Sequence, residues 1–315
     1  MARLRRTINR LRRIVNQVNF LRASVYVVVK YIDNRGMSNR SAIRPEWQRR
    51  VSRAEELAAQ STFASEILRF YATVARFQEK LRGALETEHA GVQAGPHDGE
   101  SDAAPFATPL PRDLTRFFEN LFSLVEPSGP EPLRQVAQEL RDGGPDLQYE
   151  LLLHFWNHTD DGSLPTGPND FFARALLQPY AARVREHANM RWTGPTPYVC
   201  PFCKRKPGAG VLRPLGDGGL RSLVCSFCLG EWEFRRIICP GCGEENHAKL
   251  PVYVAEDIKH VRVEACDSCR TYIKTIDMTT QGRAEPIVDE IAAIPLDVWA
   301  QKQGYSKLRV NLMQL

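Results

Sequence analysis

All eight cysteines of this 315-residue chain lie within one stretch of 70 residues, where they form four C-x-x-C pairs. A two-residue spacer lets a tight turn point both sulfurs at one ion, and two such turns, or knuckles, complete a tetrahedral site of four thiolates. The chain therefore carries enough ligands for two metal ions. The four pairs are Cys200/Cys203, Cys225/Cys228, Cys239/Cys242 and Cys266/Cys269.

The sequence distances between the knuckles predict which of them share an ion. Successive pairs are separated by 21, 10 and 23 residues, so joining neighbours in order gives two modules with nearly equal insertions, as a tandem duplication would. The opening knuckle of each module has a proline after its first cysteine, Pro201 and Pro240, whereas the closing knuckles do not. We expect sequential modules, although a cross-brace that joins the first pair to the third stays open.

Two other uses of paired cysteines fit this sequence less well. Disulfides are typical of oxidising compartments, and the N-terminal segment does not have the pattern of an export signal, because Arg22 and two asparagines interrupt its apolar stretch. Thioredoxin-like catalysis needs one exposed pair near a βαβ pattern rather than four regular pairs. We therefore expect two four-thiolate sites in a cytoplasmic protein, each holding zinc or a single iron of the rubredoxin type, since both suit four thiolates.

Charge is distributed unevenly along the chain. Residues 1–50 have 13 Lys and Arg against two acids, a net charge of +11, which leaves −6 for the other 265 residues. The segment 3–22 has the pattern of a basic amphipathic helix. It could bind nucleic acid or a membrane surface, form a solvated helix, or precede the true start of the protein, for which Met37 is an alternative. Charge runs are most often plain surface.

Cations also flank the knuckles and could offset the negative charge of metal-bound thiolates. A solvated face is the simpler interpretation for most of them. These residues are Lys204, Arg205, Lys206, Arg235 and Arg236.

The elements that must position the knuckles follow from hydrophobic periodicity and turn residues. Helical patterns cover 46–86, 113–125, 131–141, 146–157 and 169–188, the last with Asn169 or Asp170 as its cap. A polar linker rich in Pro and Gly interrupts them at 87–112. Short β-rich runs then alternate with the knuckles, and a helical segment at 284–300 has a break at Pro295. The β-rich runs are 220–224, 232–238, 250–254, 261–264 and 272–276.

These patterns predict an α+β multidomain protein. An all-α N-terminal helical domain is followed by two tandem rubredoxin-like or zinc-ribbon four-cysteine modules and a short C-terminal helix. The predicted parts are a basic extension at 1–36, the all-α domain at 37–192, a first ribbon at 193–237, a second ribbon at 238–283, and the C-terminal helix and tail at 284–315.

No catalytic constellation stands out in the sequence. His154 and His158 are four residues apart on a predicted helix, a spacing that can place two metal ligands on one face. No glutamate lies next to His154 to complete a zinc-protease motif, so we interpret the pair as structural. Phosphate-binding loops and nucleophile elbows are missing, and no apolar run approaches the roughly 20 residues of a membrane span. We expect a protein that is not an enzyme and has no small-molecule substrate.

Several segments together resemble one protein family, the formate dehydrogenase accessory proteins called FdhE. The resemblance covers about Arg44 to the C-terminus and leaves residues 1–36 outside it. The segments that carry it are FARALLQPY at 172–180, the four knuckles in this order, GLRSLVCSFCLGEWEFRRII at 219–238, CDSCRTYIKTID at 266–277 and the acidic stretch 288–296.

The resemblance implies a non-catalytic cytoplasmic protein that is required for active formate dehydrogenase. It implies a maturation or proofreading chaperone that binds the molybdenum-containing catalytic subunit before export, with rubredoxin-like sites for iron or a structural ion. Two other functions stay open. One is an iron redox protein that passes or senses single electrons. The other is a nucleic-acid-binding ribbon protein, which the net acidic body of the chain does not favour.

Overall fold

The computed structural model of the protein describes residues 43–88, 109–158, 167–188, 197–216 and 218–314. The predicted extension at 1–36 and most of the predicted linker at 87–112 lie outside the described residues. Among the helices of the described ranges, none is both long enough and apolar enough to cross a bilayer.

Six α-helices make up the helical part of the described chain. The sequence predicts a single helix over 46–86, but the chain turns at residues 61–64, where the Ser61 hydroxyl accepts a 2.8 Å hydrogen bond from the N–H of Ala64. A short 3-10 turn, Arg112–Phe117, precedes the third helix. The helices are α1 (Ile43–Gln60), α2 (Ser65–Glu88), α3 (Phe118–Ser128), α4 (Glu131–Asp142), α5 (Gly144–Asn157) and α6 (Pro168–His187).

Helix α6 is the centre of the helical part, because every residue from Asp170 to Val184 is buried. A helix enclosed on all sides forms part of a core rather than a surface. The sequence-based prediction of a side-chain cap is wrong: α6 begins at Pro168 without one. The Asp170 carboxylate instead accepts hydrogen bonds from Arg174, at 2.8 Å, and Arg309, at 2.7 Å. This pairing offsets the cost of burying its charge.

Both modules contribute strands to one sheet of seven strands, in the order β3-β2-β1-β6-β5-β4 with β7 beside β6. Pairs within a module are antiparallel, whereas β1 meets β6 in parallel. Strand β1 was not predicted, because Pro207, Gly208 and Gly210 are residues typical of a loop. The strands are β1 (Pro207–Leu215), β2 (Gly218–Cys225), β3 (Glu231–Glu233), β4 (Val252–Ala255), β5 (Ile258–Ala265), β6 (Thr271–Asp277) and β7 (Ser306–Lys307).

Each module has the same order of elements: a knuckle, a hairpin, a second knuckle and a strand. In the first module the hairpin is β1–β2 and the strand is β3, and in the second module they are β4–β5 and β6. This repetition is what a tandem duplication produces, in agreement with the nearly equal spacings in the sequence. The parallel contact of β1 with β6 then joins the two copies edge to edge.

Two short helices, α7 (Pro286–Ala292) and α8 (Ile294–Lys302), follow the sheet. Their break lies at Ala293, close to the predicted break at Pro295. A buried cluster of charges joins these helices to the second module: Lys274 on β6 lies 2.5 Å from a carboxylate oxygen of Asp297 and 3.0 Å from one of Glu290, and Lys307 pairs with Glu290. Such a cluster is stable only when every member has a partner.

Candidate metal centres

All four knuckles are one and the same backbone turn. In each, the N–H of the first cysteine donates to the carbonyl oxygen five residues later, at 2.8–2.9 Å. The residue after the second cysteine has a positive φ, with values of 59°, 58°, 78° and 57° for Lys204, Leu229, Gly243 and Arg270. This left-handed conformation favours glycine. Because only one of the four residues is a glycine, the sequence did not reveal the feature.

The knuckles meet in sequential pairs, as the spacing predicted, and not as a cross-brace. Within each group of four cysteines, all sulfurs lie within 4.8 Å of one another. Contacts between knuckles include Cys200–Cys228 at 3.5 Å and Cys203–Cys225 at 3.3 Å in the first group, and Cys239–Cys269 and Cys242–Cys266, both at 3.7 Å, in the second.

These separations fit a metal ion and do not fit disulfides. An ion with metal–sulfur bonds of about 2.3 Å at the centre of a tetrahedron holds its sulfurs about 3.8 Å apart, close to the distances between the knuckles. A disulfide bond is about 2.05 Å long, and all eight cysteines are free thiols. Each group can therefore hold a metal ion.

Electrostatics supports the same conclusion for the first group. Burial raises the pKa of the Cys200 and Cys203 thiols well above the usual range, because a charged thiolate loses its hydration in the interior. Four thiolates side by side would add mutual repulsion. A cation at the centre of the group removes both costs, so the chemistry of these donors calls for one. Backbone N–H groups help: Phe227 donates to the sulfur of Cys225 at 3.3 Å.

The helical part encloses the first group. No residue of its two knuckles is exposed. Phe227, inside the closing knuckle, packs edge-on against Phe155 and Trp156 of α5, with ring centroids 5.1 and 6.1 Å apart. From α6, Gln178 donates a 3.1 Å hydrogen bond to the carbonyl oxygen of Ser226. The first ion would therefore lie inside the core that joins the helices to the sheet.

The second group is open to solvent. Half of the eight residues in its two knuckles are exposed: Gly241, Cys242, Asp267 and Ser268. Its backbone supplies the equivalent hydrogen bond, from the N–H of Gly241 to the sulfur of Cys239 at 3.3 Å. The ligand geometry is thus repeated, whereas the surroundings are not.

Two of the cations beside the knuckles, Arg205 and Arg235, have partners other than the thiolates. Arg205 is buried, contrary to the expectation of a solvated face, and its guanidinium lies 4.4 Å from the ring centroid of Phe155 and 4.9 Å from that of Phe227. It therefore joins the first module to α5 through cation–π contacts. Arg235 pairs with Glu245 at the surface, at 2.8 Å.

His154, on α5, and His158, which directly follows it, lie outside the two cysteine clusters. Their ring centroids are 4.2 Å apart, and Nδ1 of His158 lies 2.7 Å from the carbonyl oxygen of His154. Within the described ranges, the groups of residues able to hold an ion are the two cysteine clusters. The two histidines are therefore interpreted as structural residues.

Comparison with known proteins links the chain to one family. Two family models match it, "FdhE, central domain" over residues 199–236 and "FdhE, C-terminal domain" over residues 237–314. A "Protein FdhE homolog" of Aquifex aeolicus is 27% identical over 262 residues, which cover 80% of this chain and 87% of the relative. "Protein FdhE" of Escherichia coli O139:H28 is 24% identical over 270 residues, which cover 84% of this chain and 86% of the relative.

A solved structure has the same fold. The crystal structure of the FdhE protein from Pseudomonas aeruginosa superposes with a TM-score of 0.64 at 24% identity, and the match covers 86% of this chain and 96% of that one. The match is long enough to include helical part, sheet and C-terminal helices together. The two family models, the relatives and the solved structure thus agree with the resemblance of the knuckles, and the resemblance of this chain to the FdhE family is confirmed.

Proposed function

We propose that this protein is a formate dehydrogenase accessory protein that acts in the cytoplasm as a maturation or proofreading chaperone. It binds the molybdenum-containing catalytic subunit before that subunit is exported. Similarity to FdhE proteins is the observation that carries the proposal, since such relatives match over at least 80% of the chain. The match therefore includes the helical part as well as the two four-cysteine modules.

The proposed mechanism is stoichiometric binding rather than catalysis. Buried charges of the described chain are used to hold elements together: Arg53 of α1 makes two hydrogen bonds, of 3.0 and 2.7 Å, to Asp289 of α7. Such a framework presents a fixed surface, and a fixed surface lowers the entropic cost of binding a client. Affinity would then come from a few buried anchors at the interface.

We also propose that the eight cysteines are the ligands of two ions, zinc or iron. A bound ion supplies a cross-link between two knuckles, and its binding free energy contributes to folding. The residues of the chain do the rest: the backbone turns aim the sulfurs, and N–H groups stabilise their charge.

Co-purification tests the chaperone proposal. The full chain, tagged and expressed with a formate dehydrogenase catalytic subunit, should retain that subunit but not an unrelated molybdoenzyme expressed to the same level. Formate dehydrogenase activity in cells that lack the protein should return with the full chain. Failure to bind either the precursor or the mature catalytic subunit would refute the proposal.

A second candidate function is a rubredoxin-like iron redox protein. The exposure of Cys242 favours it, because an iron at the surface can exchange electrons with a partner. Native protein should then contain about one iron per four-cysteine site and be coloured when oxidised. Metal analysis that finds zinc alone in both sites would end this alternative.

A further inference from the structure

The two cysteine groups differ most in what lies between the cysteines of each knuckle. The opening knuckles read Cys200-Pro-Phe-Cys203 and Cys239-Pro-Gly-Cys242, and the closing knuckles place Phe227 opposite Ser268. Each aromatic ring of the first module thus corresponds to a glycine or a serine in the second. This difference changes the surroundings of the sulfurs.

Phe202 lies beside the first group, together with a side chain of α6. A Cβ placed on Gly230 would lie 2.8 Å from Cδ of Arg185, 3.1 Å from the Phe202 ring and 3.4 Å from the sulfur of Cys228. The ring and the Arg185 side chain therefore lie close to this sulfur. With Phe227 packed against the helices, they belong to a group whose knuckles have no exposed residue.

At the second group the equivalent residue has no side chain. A Cβ on Gly241 would lie 3.0 Å from Oγ1 of Thr271 and 3.5 Å from the sulfur of Cys239, so Gly241 lies against its group. Gly241 is itself exposed. Cys242 is exposed as well, whereas Cys203, its counterpart, is 5% exposed.

We propose that the second group is a site of reversible oxidation by peroxides, in which Cys242 reacts first and the group releases its ion, while the first group keeps its own. Thiolate reactivity toward oxidants depends on access as well as on charge. Both groups supply thiolates when an ion is bound, so access decides between them. This reaction rests on the proposed binding of two ions by the eight cysteines and is independent of the client.

The proposed reaction has two steps. The thiolate of Cys242 attacks one oxygen of the peroxide, an S–O bond forms, the O–O bond breaks and hydroxide leaves. A neighbouring thiolate, such as that of Cys266 at 3.7 Å, then attacks this sulfur, forming a disulfide and releasing a second hydroxide. The two sulfurs lose two electrons, the peroxide gains them, and two protons from the buffered solvent convert the hydroxides to water. An ion bound at the group would then have two thiolate ligands and would dissociate.

The test uses the full chain loaded with two zinc ions. Hydrogen peroxide is added, released zinc is followed with a metal-sensitive dye, and the oxidised cysteines are located by alkylation and mass spectrometry. We expect one zinc per chain to leave about tenfold faster than the other, with a disulfide that contains Cys242. A thiol reductant with added zinc should restore the second ion.

Matched variants exchange the shielding residue. Phe202→Gly should speed zinc release from the first group, and Gly241→Phe should slow release from the second. The ion content of both variants is measured before peroxide is added, and each rate is expressed per ion bound. Equal release rates of the two ions in the wild-type protein, or oxidation of Cys200 and Cys203 before Cys242, would overturn the proposal. So would a Gly241→Phe variant that holds two ions and still reacts like the wild type.

Discussion

The two modules of this protein use the same turn and the same four ligands, yet they are joined to the rest of the molecule by different forces. The first module packs aromatic side chains against the helical part, with Phe227 between Phe155 and Trp156. The second is held by buried ion pairs, above all Lys274 with Glu290 and Asp297. The two modules thus share the part that binds the ion and differ in the contacts that join them to their neighbours.

Different residues determine the position of the sulfurs and their exposure to solvent. Backbone geometry and cysteine spacing determine where the sulfurs lie, so they are the same in both groups. The two residues between the cysteines determine whether water reaches the ion and whether the helices depend on it. This division predicts that equivalent substitutions in the two modules have unequal effects.

Loss of a ligand should have the largest effect. Cys225→Ala and Cys266→Ala each remove one ligand, and each should reduce the ion content from two to one and unfold the surrounding module. A structural zinc site contributes on the order of 10 kcal/mol. Because Phe227 lies beside the first group, Cys225→Ala should also lower the melting temperature of the helical part, which Cys266→Ala should leave near its wild-type value.

Ion content, limited proteolysis and helical melting followed by circular dichroism measure these effects. A mutant ribbon that stays as protected from protease as the wild type would contradict the coupling of ion and fold. Equal loss of helical stability in the two variants would contradict the difference between the modules.

The aromatic contact can be removed without touching a ligand. Phe227→Ala should lower the free energy of unfolding by about 4 kcal/mol, the usual cost of deleting a fully buried aromatic ring. Ser268→Ala, the same position in the second module, should change it by less than about 0.5 kcal/mol, as is usual at the surface. Denaturant titration of the zinc-loaded proteins measures both. The expectation fails if the two variants are equally stable.

The ionic attachment of the second module should be sensitive to acid. Burial alone would raise the pKa of Glu290, but the charges of Lys274 and Lys307 outweigh it and lower that pKa to about 2. The unfolded chain therefore binds a proton that the folded chain does not between about pH 4.5 and pH 2. The stability that Glu290 contributes is complete above pH 4.5 and is lost as the pH falls toward 2.

Glu290→Gln isolates this contribution. At pH 7 the variant should be less stable than the wild type by about 3 kcal/mol, and the difference should shrink as the pH falls below 4.5. Acid also removes ions from thiolates, but it does so in both proteins, so the difference between them reports on Glu290. A difference that stays constant from pH 7 to pH 3 would show that the carboxylate does not titrate as described.

The sequence revealed the metal chemistry more completely than the architecture around it. Cysteine spacing predicted both groups of four and their sequential order, and hydrophobic periodicity predicted most helices. The sequence did not reveal strand β1. Gly210 allows the backbone of β1 to lie close to β6, because a Cβ at this position would lie 2.2 Å from Oγ1 of Thr275. Pattern rules count such a glycine as a loop residue, although it permits the contact that joins the modules.

The sequence also did not reveal which charged residues are buried. Arg205 was expected at the surface because a run of cations usually lies there, yet it is 2% exposed. Its partner Phe155 comes from α5, 50 residues earlier in the chain, and local sequence contains no signal for a contact of that range. Lys274 on β6 is hidden in the same way, since its carboxylate partners follow only in α7 and α8.

The smallest expected effect concerns the residue after each opening knuckle, where the two modules differ by a side chain at the same backbone position. Lys204 has a φ of 59° and Gly243 a φ of 78°, and a left-handed residue other than glycine costs roughly 1 kcal/mol. Lys204→Gly should therefore raise the free energy of unfolding by up to about 1 kcal/mol, and Gly243→Lys should lower it by at least as much. Gly243→Lys should have the larger effect on the free energy of unfolding, because a Cβ on Gly243 would lie 3.1 Å from the hydroxyl of Tyr198. Denaturant titration of both zinc-loaded variants measures the pair, and a shift of both in one direction would mean that this backbone strain does not decide the stability of the knuckles.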